Sequence, residues 1–270
     1  MNVTFIGGGN MATAMIGGLL QKGWPADAIS VVEIDAAARA RLEIELRIKA
    51  YAAAGTEATA ADSIVLAVKP QQMREAARAL RPAMQSQLVI TIAAGIRCPD
   101  LSRWLGGYMR IVRVMPNTPA LVLAGISGLY AAPTVDAADR ARAEQIMSAV
   151  GATLWLEREA QMDAITAVSG SGPAYVFYFI EALQQAAADL GFNTTDARHL
   201  ALETFAGAVR LAQTSGEEPA KLRASVTSKG GTTERALGVM DAQALKEIII
   251  RAVRAAAERS HELGDELGGE

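Results

Sequence analysis

This 270-residue chain has few of the side chains that usually carry reactivity. It has one cysteine, Cys98, which excludes an intramolecular disulfide framework and fits a reducing, cytoplasmic compartment. Cys98 lies in Gly95-Ile-Arg-Cys-Pro99 with no histidine beside it, and reads as structural rather than nucleophilic. Only two histidines occur, His199 on a helical stretch and His261 near the end. No cluster of Cys, His or carboxylates has metal-ligand spacing, so metal catalysis is not expected. Aromatics make up 5%, and the basic residues are scattered under a net charge of −3. That leaves neither a base-stacking surface nor a phosphate-tracking stripe, so a nucleic-acid partner is not expected. No apolar run is both long enough and charge-free enough to span a bilayer. Met1–Phe5 runs into a strand instead of a basic and apolar leader, so neither membrane nor export is expected.

Apolar residues make up 51% of the chain, much of it alanine, which suits closely packed helices. The length allows one large domain or two modest ones. Short apolar strands are predicted at Val3–Ile6, Ile29–Glu33, Ser63–Val68, Leu88–Ile92, Arg110–Val114, Ile126–Tyr130 and Ala152–Leu156. Helical stretches lie between them, Met11–Leu20 and Ala36–Leu46 among them. Continuous apolar strands spaced for crossover helices predict a parallel sheet covered on both faces. After about residue 160 the strand signals stop. Tyr175–Leu190, Thr195–Ser215, Pro219–Val226, Thr232–Met240 and Ala242–Leu263 read as helices, with Thr194, Thr195 and Asp241 as candidate N-caps. The residues after Glu262 read as a polar tail. The expected division is an α/β domain, 1–160, and an all-helical domain, 161–270.

Ile6-Gly7-Gly8-Gly9-Asn10-Met11-Ala12 follows a strand and opens a helix. In that setting Gly7 makes the tight turn, Gly9 clears room for a pyrophosphate, and Ala12 lets helix and strand pack closely. A dinucleotide is the expected ligand, and a Rossmann-like doubly wound sheet the expected fold of the first half. A glycine-rich turn in another α/β protein is the alternative. Glu33 ends the second strand, where an acidic residue bonds the adenosine ribose and repels a 2′-phosphate, favouring NADH. Arg39 and Arg41 on the next helix either lie on a solvated face or turn toward such a phosphate, so the expected cofactor is NADPH or NADH. Ala67-Val68-Lys69-Pro70 and Val114-Met115-Pro116-Asn117-Thr118-Pro119 end two further strands at the same edge. Pro70 turns the chain over the cofactor, Lys69 reads as a surface or phosphate-facing lysine, and Asn117 and Thr118 are candidates for bonding the nicotinamide amide. For each of these loops an ordinary rigid turn is the alternative.

Near the other end, Val226–Leu237 sets Thr227, Ser228, Thr232 and Thr233 around Gly230-Gly231, just before a helix. This is either an anion site built on a helix N-terminus or an ordinary capped helix start. Val168-Ser-Gly-Ser-Gly-Pro-Ala-Tyr175 leads into the helical half, with Pro173 suited to a first turn.

Together, IGGGNMA, AVKP, RVMPNTP, SGSGPAYVFY and VTSKGGTTERAL, in this order, resemble pyrroline-5-carboxylate reductase over essentially the whole chain. The resemblance implies reduction of the cyclic imine 1-pyrroline-5-carboxylate to L-proline by NAD(P)H. It also implies that the Ser228–Thr233 loop holds the substrate carboxylate, through Ser228, Gly230, Gly231, Thr232 and Thr233, with the Thr233 hydroxyl meeting the ring nitrogen. An imine nitrogen enters readily protonated, so the lack of an evident His, Lys or Tyr acid suits this substrate. Positioning of the ring carbon against the nicotinamide is then the larger catalytic effect. The family forms dimers by interleaving its helical domains, often assembled further into decamers, and a partner subunit is a candidate to complete each site. Glu33-Ile-Asp35 departs from the family's NADPH-directed members and leaves the cofactor preference open. Two rivals are a hydroxy-acid dehydrogenase with a helical second half, for which Lys221, Lys229 and Lys246 lack the expected setting, and a non-catalytic dinucleotide sensor.

Overall fold

The computed structural model describes residues 1–269. Strands and helices alternate from the start: β1 (Val3–Ile6), α1 (Asn10–Gln21), β2 (Ile29–Val32), α2 (Ala36–Leu46), β3 (Lys49–Tyr51), α3 (Thr56–Thr59) and β4 (Ser63–Leu66). Next come α4 (Met73–Leu80), β5 (Leu88–Thr91), α5 (Cys98–Trp104), β6 (Ile111–Met115), β7 (Gly125–Ala131), α6 (Ala137–Met147), β8 (Gly151–Trp155) and α7 (Gln161–Ile165). A π-helical turn, Thr166–Gly170, leads into α8 (Gly172–Asp189), α9 (Thr194–Ser215), α10 (Pro219–Ser225), α11 (Thr232–Ala242) and α12 (Leu245–Gly268).

The strands form one eight-stranded sheet in the order β3-β2-β1-β4-β5-β6-β7-β8. β1, β4 and β5 are buried at every residue, which is why they read as unbroken apolar runs. From β1 the chain steps outward to β2 and β3, then returns to the other side of β1 for β4. That reversal opens a crevice beyond the carboxyl ends of β1 and β4, the usual ligand position in such sheets. On α1, Ala12, Met15, Ile16 and Leu19 are buried, at helical spacing. Each of the three larger side chains contributes about 1.5–3 kcal/mol by leaving water.

The sheet is parallel from β3 to β6, but β7 runs antiparallel to β6, correcting the wholly parallel expectation. Met115 and Gly125 are joined by a short loop containing a 3₁₀ turn, Thr118–Val122, and a parallel return needs a longer crossover. β8 then pairs in parallel with β7 after the α6 crossover. β3 escaped sequence reading because it is three residues long, lies at the sheet edge and buries none of its residues fully.

The chain separates into two compact units, Met1–Ser171 joined by the end of α12 from Ala256 onward, and Gly172–Ala255. The residues after Glu262 are helical as far as Gly268 rather than a tail, because Leu267 packs on the core of the first unit and Arg97 pairs with Asp265 at 2.6 Å. The N-cap of α9 is Asn193, whose side chain accepts from the Asp196 amide, in place of Thr194 or Thr195. Asp241 lies inside α11 rather than capping α12, and Ala244, at φ +50, breaks the chain between the two helices. In the helical unit α9 buries only Ala197 and Ala201, while α8, α10 and α11 bury no residue. Among the described residues no helix is long and apolar enough to cross a membrane.

Candidate active site

Gly7 follows β1 at φ +99, a backbone state L side chains rarely adopt, and its amide donates to the Val32 carbonyl at 2.8 Å. A Cβ at Gly7 would lie 3.0 Å from the Ala67 carbonyl oxygen and 3.0 Å from Val68 Cγ1. The loop after β1 therefore rests on the loop after β4, and the Ala67 amide donates to the Ile6 carbonyl at 2.8 Å. Gly8 is equally enclosed, since a Cβ there would meet Leu42 Cδ1 at 2.5 Å. Gly9 differs: φ is −69 and a Cβ would find nothing within 4 Å. It is the N-cap of α1, no side chain caps the helix, and the first turn contains no acidic residue. Asn10 and Met11 begin the helix, Asn10 exposed and Met11 half-buried, and Ala12 is buried. Free amides, the positive end of the helix dipole and open space before them suit a pyrophosphate. The residues present fit a dinucleotide.

A Gly9→Val substitution tests that open space. Because the backbone angle is ordinary and the site uncrowded, the melting temperature is expected to stay unchanged. Dinucleotide affinity, measured by calorimetry, should fall about 100-fold, or roughly 2.7 kcal/mol. Unchanged affinity would move the pyrophosphate elsewhere.

At the end of β2, Glu33 uses both carboxylate oxygens within the protein. Oε2 accepts from the Gly8 amide at 2.9 Å and Oε1 from the Asp35 amide at 2.9 Å. The group expected to meet a ribose thus also braces the glycine loop. Arg39 lies folded over the turn, donating from Nη1 to the carbonyls of Glu33 at 2.7 Å and Ile34 at 2.9 Å. Arg41 is exposed.

The next loop begins with exposed Lys69, and Pro70 opens a 3₁₀ turn, Pro70–Gln72. In the β6–β7 loop Thr118 is exposed, whereas Asn117 is buried and its amide group is spent. Asn117 Nδ2 donates to the Ser169 carbonyl at 3.1 Å, and Oδ1 accepts from the Ile126 amide at 2.9 Å. The Asn117 side chain, expected to bond the nicotinamide amide, here braces the start of β7 against the π-helical turn. Close by, a Cβ on Gly170 would lie 2.6 Å from Met115 Cε, so the π-helical turn packs against the end of β6. The MPNTP and SGSGP motifs therefore hold each other, and π turns of this kind recur at functional sites.

An ion pair unnoticed in the sequence supports the same region. Arg113 on β6 is 5% exposed and donates from Nη1 to Glu159 Oε1 at 3.1 Å. Glu159 Oε1 also accepts the Cys98 amide at 2.7 Å. Burial, then the Glu159 carboxylate, pushes the Cys98 thiol far above the ordinary range, so it is no nucleophile. His199 is exposed. His261 stands with Asp163 and Arg97 on the face of α12 that packs on the first unit.

In the helical unit, Gly231 is the N-cap of α11, with no side-chain cap. Gly230 takes φ +75, which the turn reserves for glycine, and a Cβ at Gly231 would press on Ser228 Oγ. The Gly231 amide closes the turn on the Ser228 carbonyl at 3.0 Å. Among the described residues, no protein group engages the hydroxyls of Ser228, Thr232 or Thr233; Thr233 is half-buried and the other two are exposed. The Thr227 hydroxyl instead turns back to the Arg223 carbonyl at 2.6 Å. Glu234, which sequence reading passed over, reaches back from the first turn and accepts the Gly230 amide at 2.7 Å. Gly230 thus gives its amide to Glu234 in this arrangement, and its expected place among the substrate-binding amides requires that side chain to swing away. The signal was there: in Gly231-Thr-Thr-Glu234 a glutamate stands at the third helical position, where such side chains fold back. A groove of about 680 Å³ opens beside Gly230 and Gly231, with Glu234, Arg235, Gly238 and Val239 among its lining residues. Thr233 is not part of its wall.

Comparison with known proteins gives two family matches. Residues 159–263 match the family described as pyrroline-5-carboxylate reductase dimerisation, and residues 2–95 match NADP oxidoreductase coenzyme F420-dependent. The chain is 46% identical to a pyrroline-5-carboxylate reductase of Pseudomonas aeruginosa, over 98% of both chains. A solved pyrroline-5-carboxylate reductase from Coxiella burnetii superposes with a TM-score of 0.92 at 41% identity, covering 97% of this chain and 98% of that one. The Plasmodium falciparum pyrroline carboxylate reductase, solved with NADP bound, superposes at 0.86 with 28% identity and 98% of both chains covered.

Proposed function

Because this chain belongs to the pyrroline-5-carboxylate reductase family, it reduces 1-pyrroline-5-carboxylate to proline with NAD(P)H, and we propose how its residues do so. The nicotinamide, when bound, supplies the hydride that converts the imine carbon–nitrogen bond to an amine. Ile6, Gly7, Gly8, Gly9, Asn10, Met11 and Ala12 hold the pyrophosphate side of the cofactor, and Glu33 lies toward the adenosine end. Ala67, Val68, Lys69 and Pro70, together with Thr118, border the nicotinamide side. Asn117 acts through the fold, by fixing the loop that carries Thr118. In this reading residues 1–160 serve the cofactor, and residues 161–270 serve substrate binding and dimerisation.

On the substrate side, the N-terminus of α11 carries the reading. Three hydroxyls without protein partners among the described residues stand beside the α11 amides that no side chain caps. The Ser228 and Thr232 hydroxyls and the uncapped amides at the start of α11 receive the substrate carboxylate, Gly231 shapes the turn that presents them, and Thr233 orients the ring nitrogen. Glu234 keeps Gly230 in its turn. A protonated imine needs no strong acid, and Thr233 relays a proton when the imine arrives neutral. The deciding experiment follows oxidation of NADH and of NADPH with pyrroline-5-carboxylate; no substrate-dependent oxidation with either would sink the reading.

The assembly follows from what the helical unit leaves uncovered. Phe177, Tyr178, Val209, Leu211, Val239 and Met240 are each at least 47% exposed, more apolar surface than a lone soluble chain usually shows. We infer a homodimer formed through this unit, with a decamer as a possible higher assembly. Light scattering is expected to give twice the chain mass, and Val209→Glu to shift it to monomer or aggregate. A variant that kept the dimer mass would remove this face of α9 from the interface. The single buried Cys98 suits a reducing compartment, and we place the reaction in the cytoplasm.

A further inference from the structure

The turn after β2 is where a dinucleotide presents its adenosine ribose, and the two common nicotinamide cofactors differ only there, by a 2′-phosphate. To hold that dianion a protein needs free amide donors, a free cation or both. Here three of the turn's amide donors are already used. The amides of Gly8 and Asp35 go to the Glu33 carboxylate at 2.9 Å each, and the Ala38 amide goes to Asp35 Oδ1 at 2.7 Å. Arg39 is the cation nearest in sequence, and its Nη1 is shared between the carbonyls of Glu33 and Ile34. That leaves Arg41, exposed on α2, as the remaining cation of the turn. Two carboxylates, those of Glu33 and Asp35, lie within three residues and would face the incoming phosphate at short range. Gly8 reinforces the arrangement, because any Cβ would press on Leu42 and lie 3.2 Å from Glu33 Oε2.

We propose that the Glu33–Arg39 turn makes this chain selective for NADH, with Glu33 and Asp35 as the specificity-determining residues. Glu33 acts in two ways, occupying the amide donors and adding like charge; Asp35 adds the second charge while capping α2. This rests on the reading of the β1–α1 loop as a dinucleotide site. It differs from what is bound in the Plasmodium falciparum relative, which was solved with NADP.

The test is binding, measured without turnover. Calorimetry on the full-length protein compares ADP-ribose with its 2′-phosphorylated form. The unmodified protein is expected to favour ADP-ribose by at least about tenfold, or roughly 1.4 kcal/mol. Glu33→Ser with Asp35→Ser, which frees the amides yet leaves a capping hydroxyl on α2, should bring the ratio to near one or below. Glu33→Gln keeps one acceptor without the charge, and should give an intermediate ratio. A melting curve for each variant confirms that the glycine loop survives. Equal affinity or a preference for the 2′-phosphate in the unmodified protein would overturn the proposal, as would a ratio unmoved in folded variants. Oxidation assays with pyrroline-5-carboxylate separate the two readings. Activity favouring NADPH overturns the selectivity alone, whereas inactivity with both cofactors overturns the substrate and leaves the binding ratio to judge the turn.

Discussion

A Thr233→Ala variant is expected to lose about 10²-fold in kcat, the lower end of what a placed proton-handling group contributes. The same residue's removal should change KM for pyrroline-5-carboxylate much less, because the carboxylate keeps Ser228 and the uncapped amides of α11. Folding should be untouched: the Thr233 hydroxyl has no protein partner among the described residues, and alanine favours the helix position it would occupy. Thr233→Ser, which restores the hydroxyl without the methyl, should recover most of the loss. The pH profile adds a sharper check. If Thr233 relays a proton to neutral imine, the deficit should grow as pH rises and shrink where the imine arrives protonated. A fully active Thr233→Ala enzyme would remove this residue from the mechanism.

The second large effect concerns stability. Glu159→Ala should destabilise the protein by about 3–5 kcal/mol, because it leaves the nearly inaccessible Arg113 guanidinium unpaired and the Cys98 amide without its acceptor. For a protein of this size that corresponds to a fall in melting temperature of roughly 10 °C. Replacing both partners by apolar residues, Arg113→Met with Glu159→Leu, should cost much less, since the penalty lies in the orphaned charge rather than in losing the pair. Thermal melts and denaturant titrations of the two variants decide it. A loss below about 1 kcal/mol for Glu159→Ala would mean that water reaches the guanidinium.

The two kinds of site differ in how much of them could be read in advance. The glycine loop was legible because its chemistry is local: Gly7 needs its positive φ, Gly9 needs its open space, and both lie within a few residues of the strand and helix they join. The loop before α11 was legible for the same reason, as glycines and hydroxyls at a helix start. The bracing role of Asn117 was silent because a side-chain amide gives no sign of whether its partners are a ligand or the protein. Ser169 and Ile126, which take both ends of it, are far from each other in the chain. Arg113 and Glu159 were silent for a related reason, being separate charges in sequence and one buried pair in the fold. β7 was placed correctly as a strand, yet its direction depended on how much chain lay between Met115 and Gly125.

By itself, then, the sequence determined most of the elements, the class of cofactor and the family, since periodicity, turn glycines and ordered motifs are properties of neighbouring residues. Only the tertiary structure decided which polar groups are free to meet a ligand. It spends Glu33, Asn117 and Gly230 on the protein and leaves Gly9 and the hydroxyls of Ser228, Thr232 and Thr233 open. The reason is that a polar group pairs within the protein wherever the fold brings a partner within reach, of necessity where it is buried as Asn117 is, and reach is set by packing rather than by position in the chain.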